Sequence, residues 1–238
     1  MNRFFLPFCL SAAALLSPLH AADSGNGNPG DALISGIGAI TNPSGDCQIA
    51  GSVTRLTMTI PAGEHLLDIE LDKMTAPRVL QEVTGDFTAQ VTVSGSYPLN
   101  TSTNLADHRP FQGAGLLLFV SPQSYIRLER AQVNFKEGDE TKHASYASWE
   151  LRLESKPLRM GGAAGLTGKS TTLRLSRIGN SVHGAISEDG TTWQELDPFT
   201  LKLPEKVQIG IVGVQDTTSG FEATFENFTC KPIEKAAN

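Results

Sequence analysis

GDFTAQVTVSG, residues 85–95, sets Phe87, Ala89, Val91 and Val93 on alternate positions with Asp86, Thr88, Gln90 and Thr92 between them. Successive side chains of an extended chain point to opposite faces, so this period of two describes a strand with one greasy face and one wettable face. The same design recurs downstream. Ser124 to Arg130 turns Ile126 and Leu128 one way and Tyr125, Arg127 and Glu129 the other, while Ser145 to Glu154 separates Trp149, Leu151 and Leu153 from Tyr146, Glu150 and Arg152. TTLRLSRIG buries Leu173 and Leu175, NSVHGAIS buries Val182 and Ile186, and GFEATFENF buries Phe221, Ala223 and Phe225. GAGLLLFV, residues 113–120, is apolar on both sides, as expected of a strand covered on both faces. Turn residues separate these runs, and no window has the 3.6-residue period of a long amphipathic helix. The expected fold is all-β: two antiparallel sheets packed as a sandwich.

Outward from this core the composition changes. Residues 22–46 are rich in Gly, Asn, Ser and Pro and read as a leader that lays at most one irregular segment on a domain spanning 47–231, with 232–238 as a tail. Met1-Asn2-Arg3, the apolar run Phe4 to Leu19 and the small-residue ending at Ala21 read as a cleavable signal peptide over 1–21, so a secreted or periplasmic protein is expected. No later stretch is long and apolar enough for a transmembrane helix. The net charge of −6 carries no basic block, which argues against nucleic acid as a partner. Cys47 and Cys230 near the two ends of the domain predict a disulfide between first and last strands; the alternative is two buried thiols.

Few motifs survive inspection. GGAAGLTGKST, residues 161–171, lacks the glycine that a phosphate loop requires five residues before Gly168, and strand-like rather than helical sequence follows it. Asp189-Gly190 in SEDGTTW marks a hairpin turn, one residue short of a sialidase Asp-box. His65, His108, His143 and His183 are scattered, and no Cys-x-x-Cys exists, so neither metal ligands nor cofactors are predicted. Calcium held by acids such as Asp139, Glu140 or Asp216 has no supporting signature. No Gly-x-Ser-x-Gly elbow is present, and no catalytic residue is assigned.

Asp68, Glu70 and Asp72 alternate in EHLLDIELDKM, a spacing open to two-carboxylate sugar hydrolysis. The outer acids are short and no aromatic accompanies them, so the stretch reads as a solvent-facing strand or irregular edge. The stronger candidate is the outward set Tyr125, Arg127, Glu129, Tyr146, Glu150 and Arg152, extended by Arg174 and His183. Paired strands would carry a ladder of Arg and Glu flanked by tyrosines, able to bind hydroxyls and stack a sugar ring.

The ordered segments APRVLQEVTGDFTAQVTVSG, FQGAGLLLFVSPQSYIRLERA, ISEDGTTWQEL, VQIGIVGV and FEATFENF resemble a bacterial family of unknown function, the domain of unknown function 1349 type. The likeness covers about Cys47 to Lys231. It implies a concanavalin A-like, laminin-G-like jelly roll with one concave sheet. Relatives in that superfamily include lectins and glucanases, but one fold hosts many functions. The resulting expectation is an exported, non-catalytic domain that binds a polysaccharide or other glycan. A glucanase-type hydrolase using acids among Asp68, Glu70, Asp72, Glu129 and Glu150, or a protein-interaction module, are the alternatives.

Overall fold

A computed structural model of the chain describes residues 32–98, 102–103, 105–106, 108–154 and 159–234. The proposed signal peptide lies outside them. The described residues form strands and loops, with no helix. The strands are β1 (Leu33–Ile34), β2 (Gly38–Thr41), β3 (Gln48–Gly51), β4 (Arg55–Ile60), β5 (Leu67–Asp68) and β6 (Lys73–Met74). They continue as β7 (Arg78–Thr84), β8 (Phe87–Ser96), β9 (Phe111–Ser121), β10 (Ser124–Glu137), β11 (Glu140–Leu153) and β12 (Arg159–Gly165). The last six are β13 (Ser170–Ile178), β14 (Ser181–Ser187), β15 (Gln194–Glu195), β16 (Phe199–Thr200), β17 (Lys206–Gln215) and β18 (Phe221–Pro232).

These strands make the expected antiparallel sandwich. One sheet runs β1-β2-β7-β17-β9-β10-β11-β12 and the other β15-β14-β13-β8-β18-β4-β3, with β16 beside β14. Late strands sit in mid-sheet: β17 pairs with both β7 and β9, and β18 with both β4 and β8. The core between the sheets collects the residues that the alternation points inward: Phe87, Val91 and Val93 of β8, Ile126 and Leu128 of β10, Trp149 and Leu151 of β11, Leu173 and Leu175 of β13, and Phe225 of β18. Burying each large apolar side chain contributes about 1.5–3 kcal/mol, so this cluster is the main driving force for the fold. Trp149 stacks on Phe199 with ring centroids 4.7 Å apart and donates its indole N–H to the Asp197 carbonyl at 2.8 Å.

Three expectations need correction. The residues before Cys47 do more than drape over the domain: β1 and β2 extend the first sheet beside β7, and Ile37 between them is buried. Cys47 and Cys230 are free thiols. β4 runs between β3 and β18, and two strand spacings of about 4.8 Å exceed the roughly 7 Å that a disulfide spans between Cα atoms. Arg174 and His183 do not extend the Arg and Glu ladder, because β13 and β14 belong to the other sheet and their outward side is the opposite face of the sandwich. There Arg174 lies 3.5 Å from the centre of the Trp193 ring, held by Gln90. Asp68, Glu70 and Asp72 take the second of the two forms expected, an irregular edge rather than a strand face. Strand β5 ends at Asp68, whose carboxylate accepts the Glu70 and Leu71 amides at 2.9 and 3.2 Å, and Asp72 adopts φ 54°, so the acids line a tight turn into β6.

Candidate functional site

The ladder of Tyr125, Arg127 and Glu129 against Ser148, Glu150 and Arg152 forms as the alternation requires, with Tyr125 opposite Arg152, Arg127 opposite Glu150 and Glu129 opposite Ser148. It does not face open water. The β5–β6 hairpin folds over this side of the sheet and sets Leu66, Leu67 and Ala76 against Leu80, Leu117, Tyr125, Val212 and Val214, making a second apolar cluster. Tyr125 is 2% exposed and Glu129 0%, whereas a solvated face was expected. The cover is tied down by polar contacts as well: the Tyr125 hydroxyl donates to the Leu67 carbonyl, and Arg152 Nη1 donates to Glu70 Oε1 at 2.7 Å. Leu117 carries the sequence signal for this cover, since a strand greasy on both sides needs apolar partners on both.

Beneath the hairpin lies a buried charge cluster. Arg127 donates to Glu150 and stands 3.6 Å from Glu129, while Ser148 Oγ donates to the other Glu150 oxygen at 2.7 Å. Neither oxygen of Glu129 has a hydrogen-bond partner. Room for its carboxyl comes from β9, where Gly113 and Gly115 stand opposite Ala131 and Glu129. A Cβ on Gly113 would sit 3.3 Å from Glu129 Oε2 and 2.8 Å from the Phe111 ring, and one on Gly115 would run into the Leu128 carbonyl. One cation buried with two acids leaves an excess negative charge. Burial, offset in part by Arg127 and reinforced by Glu150, pushes the Glu129 carboxyl up to about 7, so the cluster takes up a proton more readily than a solvated acid would. Burial alone would lower the Arg127 guanidinium, but Glu129 and Glu150 outweigh it and hold the cation charged. Tyr146, further along β11, has its phenol pushed up by burial and then by Glu150 and Glu129.

Where the hairpin stops short, a pocket of about 160 Å³ opens onto this cluster. Arg127 and Glu150 line it together with Asp68, His108, Arg109, Phe111 and Asp216. Asp216 is fixed by the Phe111 amide, donated to its Oδ1 at 2.7 Å, and faces His108 Nδ1 at 3.8 Å. His108 and Arg109 are exposed and form the rim. The pocket thus offers a guanidinium and a carboxylate at its inner end and further donors and acceptors at its mouth. That set suits neighbouring hydroxyl groups better than an apolar ligand. Nothing in the sequence joins His108 and Arg109 to Asp216, because they lie on two segments far apart in the chain that only the closed sheet brings together.

Known proteins share this architecture. A functionally unknown protein from Saccharomyces cerevisiae superposes with a TM-score of 0.62 at 15% identity, over 83% of this chain and 97% of its own. The GH43 protein BlXynB from Bacillus licheniformis gives 0.55 at 15% identity, over 75% of this chain and 33% of its own. A bifunctional GH43-CE protein from Bacteroides eggerthii gives 0.52 at 13% identity, over 76% of this chain and 21% of its own. This chain therefore corresponds to a third or less of either GH43 chain. At such identities the likeness is one of fold. No curated protein matches the sequence. Residues 68–233 match the family described as protein of unknown function, DUF1349, and because that span is well over half of the 238 residues, the chain belongs to this family.

Proposed function

We propose that the protein is a carbohydrate-binding β-sandwich that holds one sugar residue in the pocket beside the β5–β6 hairpin. The observation that carries this reading is the buried Arg127 and Glu150 pair at the inner end of a small pocket whose mouth adds Asp68, His108, Arg109 and Asp216. A guanidinium and a carboxylate held side by side can donate to one hydroxyl and accept from its neighbour, and both are already oriented by Ser148 and the sheet. The volume suits a terminal residue or a branch rather than the middle of a long chain. A sugar-related role also fits a sandwich shared with regions of two GH43 glycosidases. On the pattern of residues 1–21, binding takes place outside the cytoplasm, and N-terminal sequencing of the exported species should begin near Ala22.

A glycan array with the purified protein, followed by calorimetric titration of the hits, tests this function. Arg109→Ala at the rim should weaken binding roughly tenfold, the loss of one charged hydrogen bond, without changing the fold. Silence on every glycan ends the proposal, and hits that survive both Arg109→Ala and Glu150→Gln unchanged move binding away from this pocket.

One observation favours hydrolysis as a second reading: Glu129, its carboxyl raised by burial, lies in one cluster with Glu150, and glycosidases use a pair of acids of which one is raised. Against it, the Glu129 carboxyl is enclosed and does not line the pocket, so no glycosidic oxygen reaches it. Reducing-sugar release by the wild type that disappears in Glu129→Gln would reverse the order of the two readings.

A further inference from the structure

Three metal-ligating side chains meet where the turn ahead of β3 approaches the segment ahead of β5. Asp46 and Cys47 end the turn between β2 and β3, which is pinned by Asn42 Nδ2 donating to the Cys47 carbonyl at 2.8 Å and by the Gly45 amide donating to the Asn42 carbonyl at 3.1 Å. His65 lies between β4 and β5, and its backbone exchanges two hydrogen bonds with Gln215 of β17, at 2.8 and 3.0 Å. Both segments are therefore fixed before any ligand arrives. His65 Nε2 lies 3.1 and 3.2 Å from the two carboxylate oxygens of Asp46, and Cys47 Sγ lies 3.5 Å from Asp46 Oδ1. One ligand atom from each of the three residues falls within 4.8 Å of the others.

We propose that Asp46, Cys47 and His65 bind a zinc-class transition-metal ion through one carboxylate oxygen, one thiolate and one imidazole nitrogen. With Zn–O and Zn–N near 2.1 Å and Zn–S near 2.3 Å, the edges of a tetrahedral site are about 3.4 Å between N and O and about 3.6 Å between S and O. The observed separations come within a few tenths of an ångström of those edges. A mixed sulfur, nitrogen and oxygen set selects zinc or cobalt over calcium or magnesium, which take oxygen alone.

His65 is 3% exposed and turns Nε2, the nitrogen offered to the metal, toward the Asp46 carboxylate, so the ligand atom is already aimed at the other two. Asp46, by contrast, is exposed, which leaves an entry path and an open fourth position for water. Bound metal would tie the β2–β3 turn to the segment ahead of β5, and so to the root of the hairpin that covers the charge cluster.

The test is titration of the full-length, reduced protein with Co²⁺, then Zn²⁺. One equivalent of Co²⁺ should produce a thiolate-to-cobalt charge-transfer band with the intense visible bands of a tetrahedral site, and Zn²⁺ should abolish both. Cys47→Ser should lose the charge-transfer band and Cys230→Ser should keep it. Zn²⁺ should also raise the thermal unfolding midpoint of the wild type but not of Cys47→Ser. Should Cys47→Ser fail to fold, Asp46→Asn at the exposed position replaces it, with loss of the Zn²⁺-dependent midpoint shift expected. A folded wild type without the band, or a band or midpoint shift that persists in these ligand variants, overturns the proposal.

Discussion

Ile126 and Leu128 on one side of β10, and Tyr125, Arg127 and Glu129 on the other, are all less than a tenth exposed, but they are buried by different partners. The first side packs against a second sheet, apolar on apolar. The second lies under a short hairpin, with one arginine and two acids enclosed among leucines and valines. One side of the strand supplies stability, whereas the other carries desolvated charge, which is weak evidence for a stabilising role. Burial alone therefore does not separate scaffold from site in this molecule. The chemistry of what is buried does.

The comparison breaks first at its strongest point. Trp149→Ala on the apolar side should lower unfolding free energy by about 4 kcal/mol, through the lost ring contacts with Phe199 and the cavity left behind, as read by denaturant titration. On the charged side, Arg127→Met should cost about 3 kcal/mol by the same measurement, because it leaves Glu129 and Glu150 buried without their cation. Combining it with Glu129→Leu and Glu150→Leu should bring stability back to within about 1 kcal/mol of wild type while abolishing the glycan binding proposed above. A triple variant as unstable as the single one would mean that the cluster is a structural element after all.

The pH dependence sharpens the contrast further. Glu129 has its folded-state value raised from 4.5 to about 7 by burial, so between those values the folded protein keeps a proton that the unfolded chain has released. Its contribution to stability is greatest below pH 4.5, declines as pH rises to about 7, and is level above. In Glu129→Gln this decline should be absent, with a gain over wild type of about 1–3 kcal/mol at pH 8, measured by urea unfolding across the pH range. The smallest effect belongs to the tie between hairpin and sheet: Tyr125→Phe removes the hydroxyl donated to Leu67 and should cost about 1 kcal/mol, with faster hydrogen exchange confined to residues 64–76.

The strands and their inward residues were legible because a period of two needs only local sequence. Phe87, Ile126, Trp149 and Leu173 all lie where alternation puts them. Even the ladder register of Arg127 with Glu150 follows from one hairpin between neighbouring strands. What alternation cannot convey is which sheet a strand joins and what lies above its second face. Arg174 and His183 were misassigned for the first reason, and the solvated reading of Tyr125 and Glu129 failed for the second. The apolar residues Leu66, Leu67 and Met74 interleaved with the acids, together with outward Leu117, were the available hint of a cover. Asp46, Cys47 and His65 left no hint, since no spacing rule connects a turn before β3 with a segment after β4.

The placement of β17 and β18 governs how this protein is made. Each is the middle plank of its layer, β17 between β7 and β9 and β18 between β4 and β8, yet they come last in chain order among the described strands. Until residues beyond 206 have been translated, both layers exist only as separated halves with unpaired borders. Contacts distant along the chain therefore dominate the assembly of both layers, which slows folding relative to a fold of local contacts and leaves open borders able to pair with those of other chains until β17 and β18 dock.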